Sequence, residues 1–376
     1  MTSVYTLENH LINILTGCIA SVALLAGCAT TPADTDTGAV ETPVAAPSHG
    51  AHMNHARPDE LGRLLYGMEH SADEAMLDEI RVKGLFPGAS SNEQILTMMN
   101  NMGSNYTWPA SDESLRGDSG ILILAHGFGD HGDQVLREQM LGTGTEVPIS
   151  FAFGMSMMMS DHIQLGLDDL TDSGVRDIVV IPAVSTRHNT LKRQWDYVFA
   201  LQDEPEYASV PRVSSNARLH FAKPLEDHPL VGEIIADYSA EISQNPPVEE
   251  VIIVGHGPVD AGDNQQQLDM MNNLADYVRE SADYAAVHVA TLQDDAPVEV
   301  RRANVNRLRE LITKASEAGR NTLVVTNLLG TRMVQSSLRR DLRGLGYRFN
   351  FKGLIQHDNF IEWINASAQE KLAAIK

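Results

Sequence analysis

The sequence predicts an α/β protein of two tandem similar halves, each a parallel sheet flanked by helices, with an added N-terminal helical segment. Two observations carry this. A short block occurs twice, as Ile121-Leu122-Ile123-Leu124-Ala125-His126-Gly127 and as Val251-Ile252-Ile253-Val254-Gly255-His256-Gly257. The histidines are 130 residues apart (126 to 256), and Gly127, Asp130, Gly132 and Asp133 align with Gly257, Asp260, Gly262 and Asp263 at the same offset. Further on, aligning Val180 with Val325 lays Thr186-Arg187-His188 on Thr331-Arg332-Met333, so the repeat is traceable at a second point. A run of aliphatics closed by small residues reads as a buried parallel strand entering a tight turn. A histidine in such a turn sits at the carboxyl edge of the sheet, where open α/β folds bind their ligands.

In chain order, residues 1–28 read as a targeting segment. Residues 11–26 are mostly apolar but too short for a comfortable membrane span. They end in Leu25-Ala26-Gly27-Cys28, which resembles the lipobox of bacterial lipoproteins. The resemblance implies cleavage before Cys28, acylation of its sulfur, and a lipid anchor in the cell envelope. Ala29 after the cysteine implies sorting to the outer membrane, facing the periplasm. Residues 29–57 are rich in Thr, Ala, Pro, Asp and Gly and form a flexible tether. The tether closes with His49-Gly50-Ala51-His52-Met53-Asn54-His55, a polar tract that could also capture a borderline metal.

Residues 58–120 read as a helical cap and loop. Leu61, Leu64, Leu65 and Met68 fall on one helical face, a second helix runs near 93–102, and the stretch to Gly120 is loop-like. The first half spans 121–246. Its strands are expected at 121–124, 147–153, 178–182 and 218–222. A helix carrying Met155, Met157, Met158, Met159 and His162 follows the second strand. Ser185-Thr186-Arg187-His188 opens a helix through Leu191 and Trp195, and another helix passes through Ile234. The second half, 247–376, repeats this plan, with a strand at 322–325 leading to Gly330-Thr331-Arg332-Met333. Strands alternating with helices at this spacing mean parallel sheets covered on both faces.

The net charge of −22 argues against nucleic acid as a partner and against loose adhesion to anionic lipid. The only cysteines are Cys18 and Cys28, so the folded body has neither a disulfide nor a thiolate metal site.

From residue 121 to about 360, the chain resembles the type II tetrapyrrole chelatases, the sirohydrochlorin cobaltochelatase and ferrochelatase family. The resemblance rests on the two His-Gly turns, on His188 after the third strand, and on Lys223-Pro224-Leu225-Glu226-Asp227-His228-Pro229-Leu230. It implies a lyase-class enzyme that inserts a divalent metal (Co, Ni, Fe or Zn) into a tetrapyrrole. His126 and His188 then become the metal and proton-handling pair, with His256 a further metal candidate in the second half. Arg187, Lys192, Arg193 and Arg332 would meet the tetrapyrrole carboxylates. Imidazole suits such ions, releases them reversibly and accepts protons near neutral pH. Arginine suits carboxylate because its guanidinium forks onto both oxygens.

The chain departs from that family at two places. Where many members carry a glutamate, it reads Phe151-Ala152-Phe153-Gly154-Met155, and where the second half should repeat His188 it has Met333. One competent site, in the first half, is therefore expected, with the second half as a wall of the cleft. The Met-rich stretch reads first as core filler; Asp130 and Asp260 could orient a histidine or close the turn, and read first as turn-closing residues. A non-catalytic metal- or haem-binding lipoprotein, acting as carrier or sensor, is the alternative function. An α/β-hydrolase is rejected, since no G-x-S-x-G elbow follows His126-Gly127-Phe128-Gly129.

Overall fold

The computed structural model describes residues 57–66, 73–83, 86, 89–100, 105–109, 115–142, 146–154, 159–330 and 333–375. Cys28, the linker histidines, Met155, Met157, Met158 and Arg332 lie outside them. Ahead of the repeat come β1 (Arg57–Pro58), β2 (Leu64–Tyr66), α1 (Glu74–Lys83), α2 (Asn92–Asn100) and β3 (Asn105–Pro109). The first half contains β4 (Ser119–Ala125), α3 (Gly129–Gly142), β5 (Ile149–Phe153), α4 (Asp161–Asp172), β6 (Asp177–Ala183), α5 (Thr190–Val198), β7 (Arg218–Phe221) and α6 (Pro229–Ile242). The second contains β8 (Glu249–Gly255), α7 (Ala261–Ser281), β9 (Ala286–Thr291), α8 (Val298–Glu317), β10 (Asn321–Asn327), α9 (Met333–Asp341), β11 (Arg348–Phe349) and α10 (Asp358–Ile375).

The repeat in sequence is a repeat in topology. The parallel order β5-β4-β6-β7 of the first sheet is matched by β9-β8-β10-β11 in the second. Both histidine turns leave the carboxyl end of the first strand of their half, as expected. Gly127 and Gly257 adopt φ of +96° and +82°, a backbone that L side chains resist, which is why glycine follows each histidine.

The segment ahead of the repeat is not purely helical. Where a helix through Leu61, Leu64 and Leu65 was expected, strand β2 runs at Leu64–Tyr66, Met68 lying outside the described residues, and β3 occupies part of the expected loop. Strands β1, β2 and β3 run antiparallel and extend the first sheet beyond β5, with Tyr106 opposite Phe153. The run Tyr106-Thr107-Trp108 favours extended structure, and the free edge of β5 gives it backbone partners that helical periodicity cannot reveal. The helices α1 and α2 do cap the sheet, burying Met76, Leu77, Ile80, Ile95 and Met99 on its outer face.

Alternation along the strands divides the core. Ile121, Ile123 and Ala125 face one core together with Val251, Ile253, Leu323 and Val325 of the second sheet. Leu122 and Leu124 face an outer core of the first half, and Ile252 and Val254 an outer core of the second. This is the period-2 exposure of a pleated strand buried on both sides.

The last helix of each half crosses to the other. Helix α6 packs on α7 and β10, and α10 packs on α6 and β6. Polar contacts seal the exchange. The Tyr238 hydroxyl donates to Gly353 O at 3.0 Å, and Asn350 Nδ2 donates to Tyr238 O at 3.0 Å and to Glu241 Oε2 at 2.9 Å. Among the described residues no helix is long and apolar enough to cross a membrane.

Candidate functional site

Two loops of the first half stand side by side. Strands β4 and β6 pair in register from Ser119 with Asp177 to Ala125 with Ala183, so the chain leaves both strands at one level of the sheet. His126 is the residue after β4. His188 follows β6 by a short loop, just before Asn189 caps α5 by accepting from Leu191 N at 2.9 Å. Thr186, buried in that loop, accepts from His188 N at 3.3 Å. His126 is exposed and His188 half-buried.

Each loop faces the other half. Phe128, beyond His126, lies so close to Gly330 after β10 that a Cβ on that glycine would sit 3.2 Å from Phe128 Cδ1. On the other side, Ser185, Thr186 and Asn189 share a pocket with His256, Gln267 and Asp295. The candidate site is therefore a cleft between the carboxyl edges of the two sheets.

The ring nitrogens are differentiated. His126 Nδ1 lies 3.0 Å from Gly127 O, and His188 Nδ1 lies 3.2 Å from Asp263 Oδ1. An acceptor oxygen at Nδ1 favours the tautomer with its proton there, leaving the Nε2 lone pair for a metal. His256 Nδ1 likewise lies 3.2 Å from Gly257 O, but its Nε2 faces Asp295 Oδ2 at 3.6 Å. Its second nitrogen is thus already opposite a carboxylate. Among the described residues no three His, Cys, Asp or Glu side chains gather as a metal site.

The cations expected to bind a ligand's carboxylates are held by the chain's own. Arg187 forks onto Glu226, its Nε donating to Oε1 at 2.9 Å and Oε2 at 3.1 Å. Burial opposes ionisation of Glu226, but Arg187 outweighs it and holds the carboxyl below its ordinary value. Lys192 pairs with Asp196 along α5, and Arg193 pairs with Asp263. Arg332 is outside the described residues.

Other residues singled out by sequence have structural work. Asp260 caps α7, accepting from Gly262 N at 2.8 Å and Asp263 N at 2.9 Å. Asp130 takes Arg63 Nη1 at 2.5 Å. His228 caps α6 by accepting from Leu230 N at 3.2 Å, and burial lowers its pKa. Met159 and His162 are buried, and His131 is exposed on the first turn of α3. Asp133 and Asp263 aligned in the repeat, yet sequence reasoning assigned them no role. That alignment was the available signal, because both hold the histidine loops. Asp133 is buried, accepts from Phe128 N at 2.6 Å and takes the Tyr106 hydroxyl.

No family model matches the chain, and no curated protein does. Among solved structures, SirB from Bacillus subtilis with Fe3+ superposes with a TM-score of 0.51 at 17% identity, over 68% of this chain and 96% of that one. The sirohydrochlorin chelatase SirB from Bacillus subtilis subspecies spizizenii, in complex with cobalt, matches at 0.46 and 13% identity, over 68% and 98% of the chains. A multi-domain protein from Deinococcus radiodurans with structural similarity to chelatases matches at 0.45 and 17% identity, over 68% and 56%. The first of these fixes the fold as chelatase-like.

Proposed function

We propose that this chain is a divalent-metal chelatase-like protein acting on a sirohydrochlorin-type tetrapyrrole. The metal ion is substrate. It is held by Nε2 of His126 and of His188, then passes into the macrocycle as two pyrrole N–H protons leave, with the imidazoles as first acceptors. The observation that carries this reading is the pairing of β4 with β6, which sets the two histidine loops next to each other at the carboxyl edge, each ring with Nδ1 against an oxygen. Imidazole accepts Co, Ni, Fe and Zn alike.

The test is incubation of the full chain, in mild detergent, with sirohydrochlorin and Co2+, Ni2+, Fe2+ or Zn2+, followed by absorbance. Metal insertion faster than in a protein-free control is expected. A rate equal to the control with all four ions removes the chelatase reading.

One observation favours a carrier or sensor that binds metal, or haem, without turnover. Arg187, Lys192 and Arg193 are engaged by Glu226, Asp196 and Asp263, so a tetrapyrrole must displace these pairs to have its carboxylates met. Metal binding without insertion in the same experiment selects this alternative. The Leu25-Ala26-Gly27-Cys28 sequence supports a further proposal: Cys28 is lipidated, and the body is tethered in the cell envelope, at the outer membrane facing the periplasm.

A further inference from the structure

The His188 ring is met by a carboxylate from the other half. Its Nδ1 meets Oδ1 of Asp263 at 3.2 Å, across 75 residues of chain, and Asp263 belongs to the first turn of α7 in the second half. The other carboxylate oxygen of Asp263 takes the Arg193 guanidinium, from one turn further along α5 than His188's loop. Its backbone N donates to Asp260 Oδ1, the α7 cap, at 2.9 Å. The carboxylate is thus fixed at both oxygens and at its backbone. Its side chain is only 15% exposed, so solvent screens the interaction weakly.

We propose that Asp263 is a positioning residue supplied by the second half, holding His188 with Nδ1 protonated and Nε2 directed to the metal. The inference rests on the chelatase-type reading of the His126/His188 pair. A carboxylate behind a ligating imidazole selects the tautomer, fixes the ring and strengthens the ligand.

The repeat explains why this residue comes from the other half. The first half's equivalent, Asp133, is turned inward onto Tyr106 and Phe128 N and is spent on holding the His126 turn. In the second half the counterpart of His188 is Met333, a side chain with no nitrogen to orient. Asp263 is therefore free to serve the opposite loop. One consequence is coupling: metal affinity at His188 depends on the two halves being apposed, since the orienting group sits on α7 of the second half and the ligand in the loop after β6 of the first.

Two readouts on the full chain test this. The first is the 15N spectrum of the His188 ring in metal-free protein, which reports its tautomer directly. The second is Co2+ affinity, followed by titration and by the visible absorption of the bound ion. Wild type is expected to show His188 protonated at Nδ1. Asp263→Asn should shift that tautomer balance and weaken Co2+ binding by roughly 10–100-fold. Asp263→Glu should recover part of the loss, which separates orientation from a folding defect. Wild-type Co2+ affinity retained in Asp263→Asn, or His188 protonated at Nε2 in wild type, overturns the inference and leaves the chelatase reading in place. A tautomer change in Asp263→Asn, in a protein whose wild type binds no Co2+, upholds the Asp263 to His188 link and removes the metal reading instead.

Discussion

The Tyr106 hydroxyl donates to the buried Asp133 carboxylate, so a strand from outside the repeat holds the residue that anchors the His126 turn. Asp133 Oδ1 takes Phe128 N at 2.6 Å, two residues past His126. Burial raises the pKa of both groups, and Arg63 stacks over the Tyr106 ring with its guanidinium carbon 5.0 Å from the centroid. Replacing Tyr106 with Phe leaves a buried carboxylate short of a donor, at a cost of about 1–3 kcal/mol. A lower unfolding midpoint in urea, together with faster hydrogen exchange in residues 126–133, is the expected result. An unchanged midpoint would show that the bond contributes nothing net.

The two halves should not be separable. Helix α6 packs on β10 of the second sheet, burying Ile234, Ile235 and Tyr238 in the core that both sheets share, and α10 packs on β6 of the first half. Each buried aliphatic side chain contributes roughly 1.5–3 kcal/mol. A fragment of residues 57–246 would expose its own α6 face and lose the cover of α10. Size-exclusion chromatography and near-UV circular dichroism should find it aggregated or without fixed packing, and co-expression with residues 247–376 should restore it. A monomeric, natively packed fragment contradicts the exchange.

Metal affinity should fall unequally among the histidines. His126→Ala and His188→Ala each remove a proposed ligand and should cost at least as much as loss of an outer-shell partner, roughly 10–100-fold. His256→Ala should cost less, since His256 Nε2 already faces Asp295 at 3.6 Å. Co2+ titration of the three variants decides it. Equal losses at His126 and His256 would mean that the halves share one site.

Acid should weaken the β6–β7 edge. Asp177 accepts from Arg218 Nε at 2.8 Å and Nη2 at 2.6 Å and faces His220 Nε2 at 2.8 Å, and these partners pull its pKa down to about 2. A carboxyl with a depressed folded-state pKa contributes stability that is complete above its unfolded value of about 3.9 and disappears as pH falls through the folded one. The stability difference between wild type and Asp177→Asn should therefore shrink between about pH 4 and pH 2. Urea unfolding at a series of pH values measures it, and a difference that is constant across that range refutes the assignment.

Export has a direct chemical readout. Cys28→Ser should yield protein without an acyl chain, and wild type should carry its lipid on Cys28 as the mature N-terminus. Mass spectrometry that finds wild type unacylated with Met1 intact refutes the lipobox reading.

The sequence by itself determined whatever depends on neighbouring residues. The aliphatic runs before His126 and His256 marked strands because buried strands alternate sides and both sides here are apolar. The glycine after each histidine marked a turn because the backbone there needs positive φ. The 130-residue offset then made the two-half plan legible, and with it the candidate histidines. Tertiary structure alone decided what joins distant segments. The run around Leu64 was expected on a helical face, and the edge of β3, itself paired to β5, selected the strand. The exchange of α6 and α10 leaves no local mark, because an apolar helix face is the same whichever sheet it covers. Arg187 and Arg193 read as ligand-facing cations until Glu226 and Asp263 were brought against them, and Asp263 reaches His188 across 75 residues. Such contacts depend on the path of the whole chain, since a carboxylate's partner is set by distance in space and its residue type limits only what that partner can be.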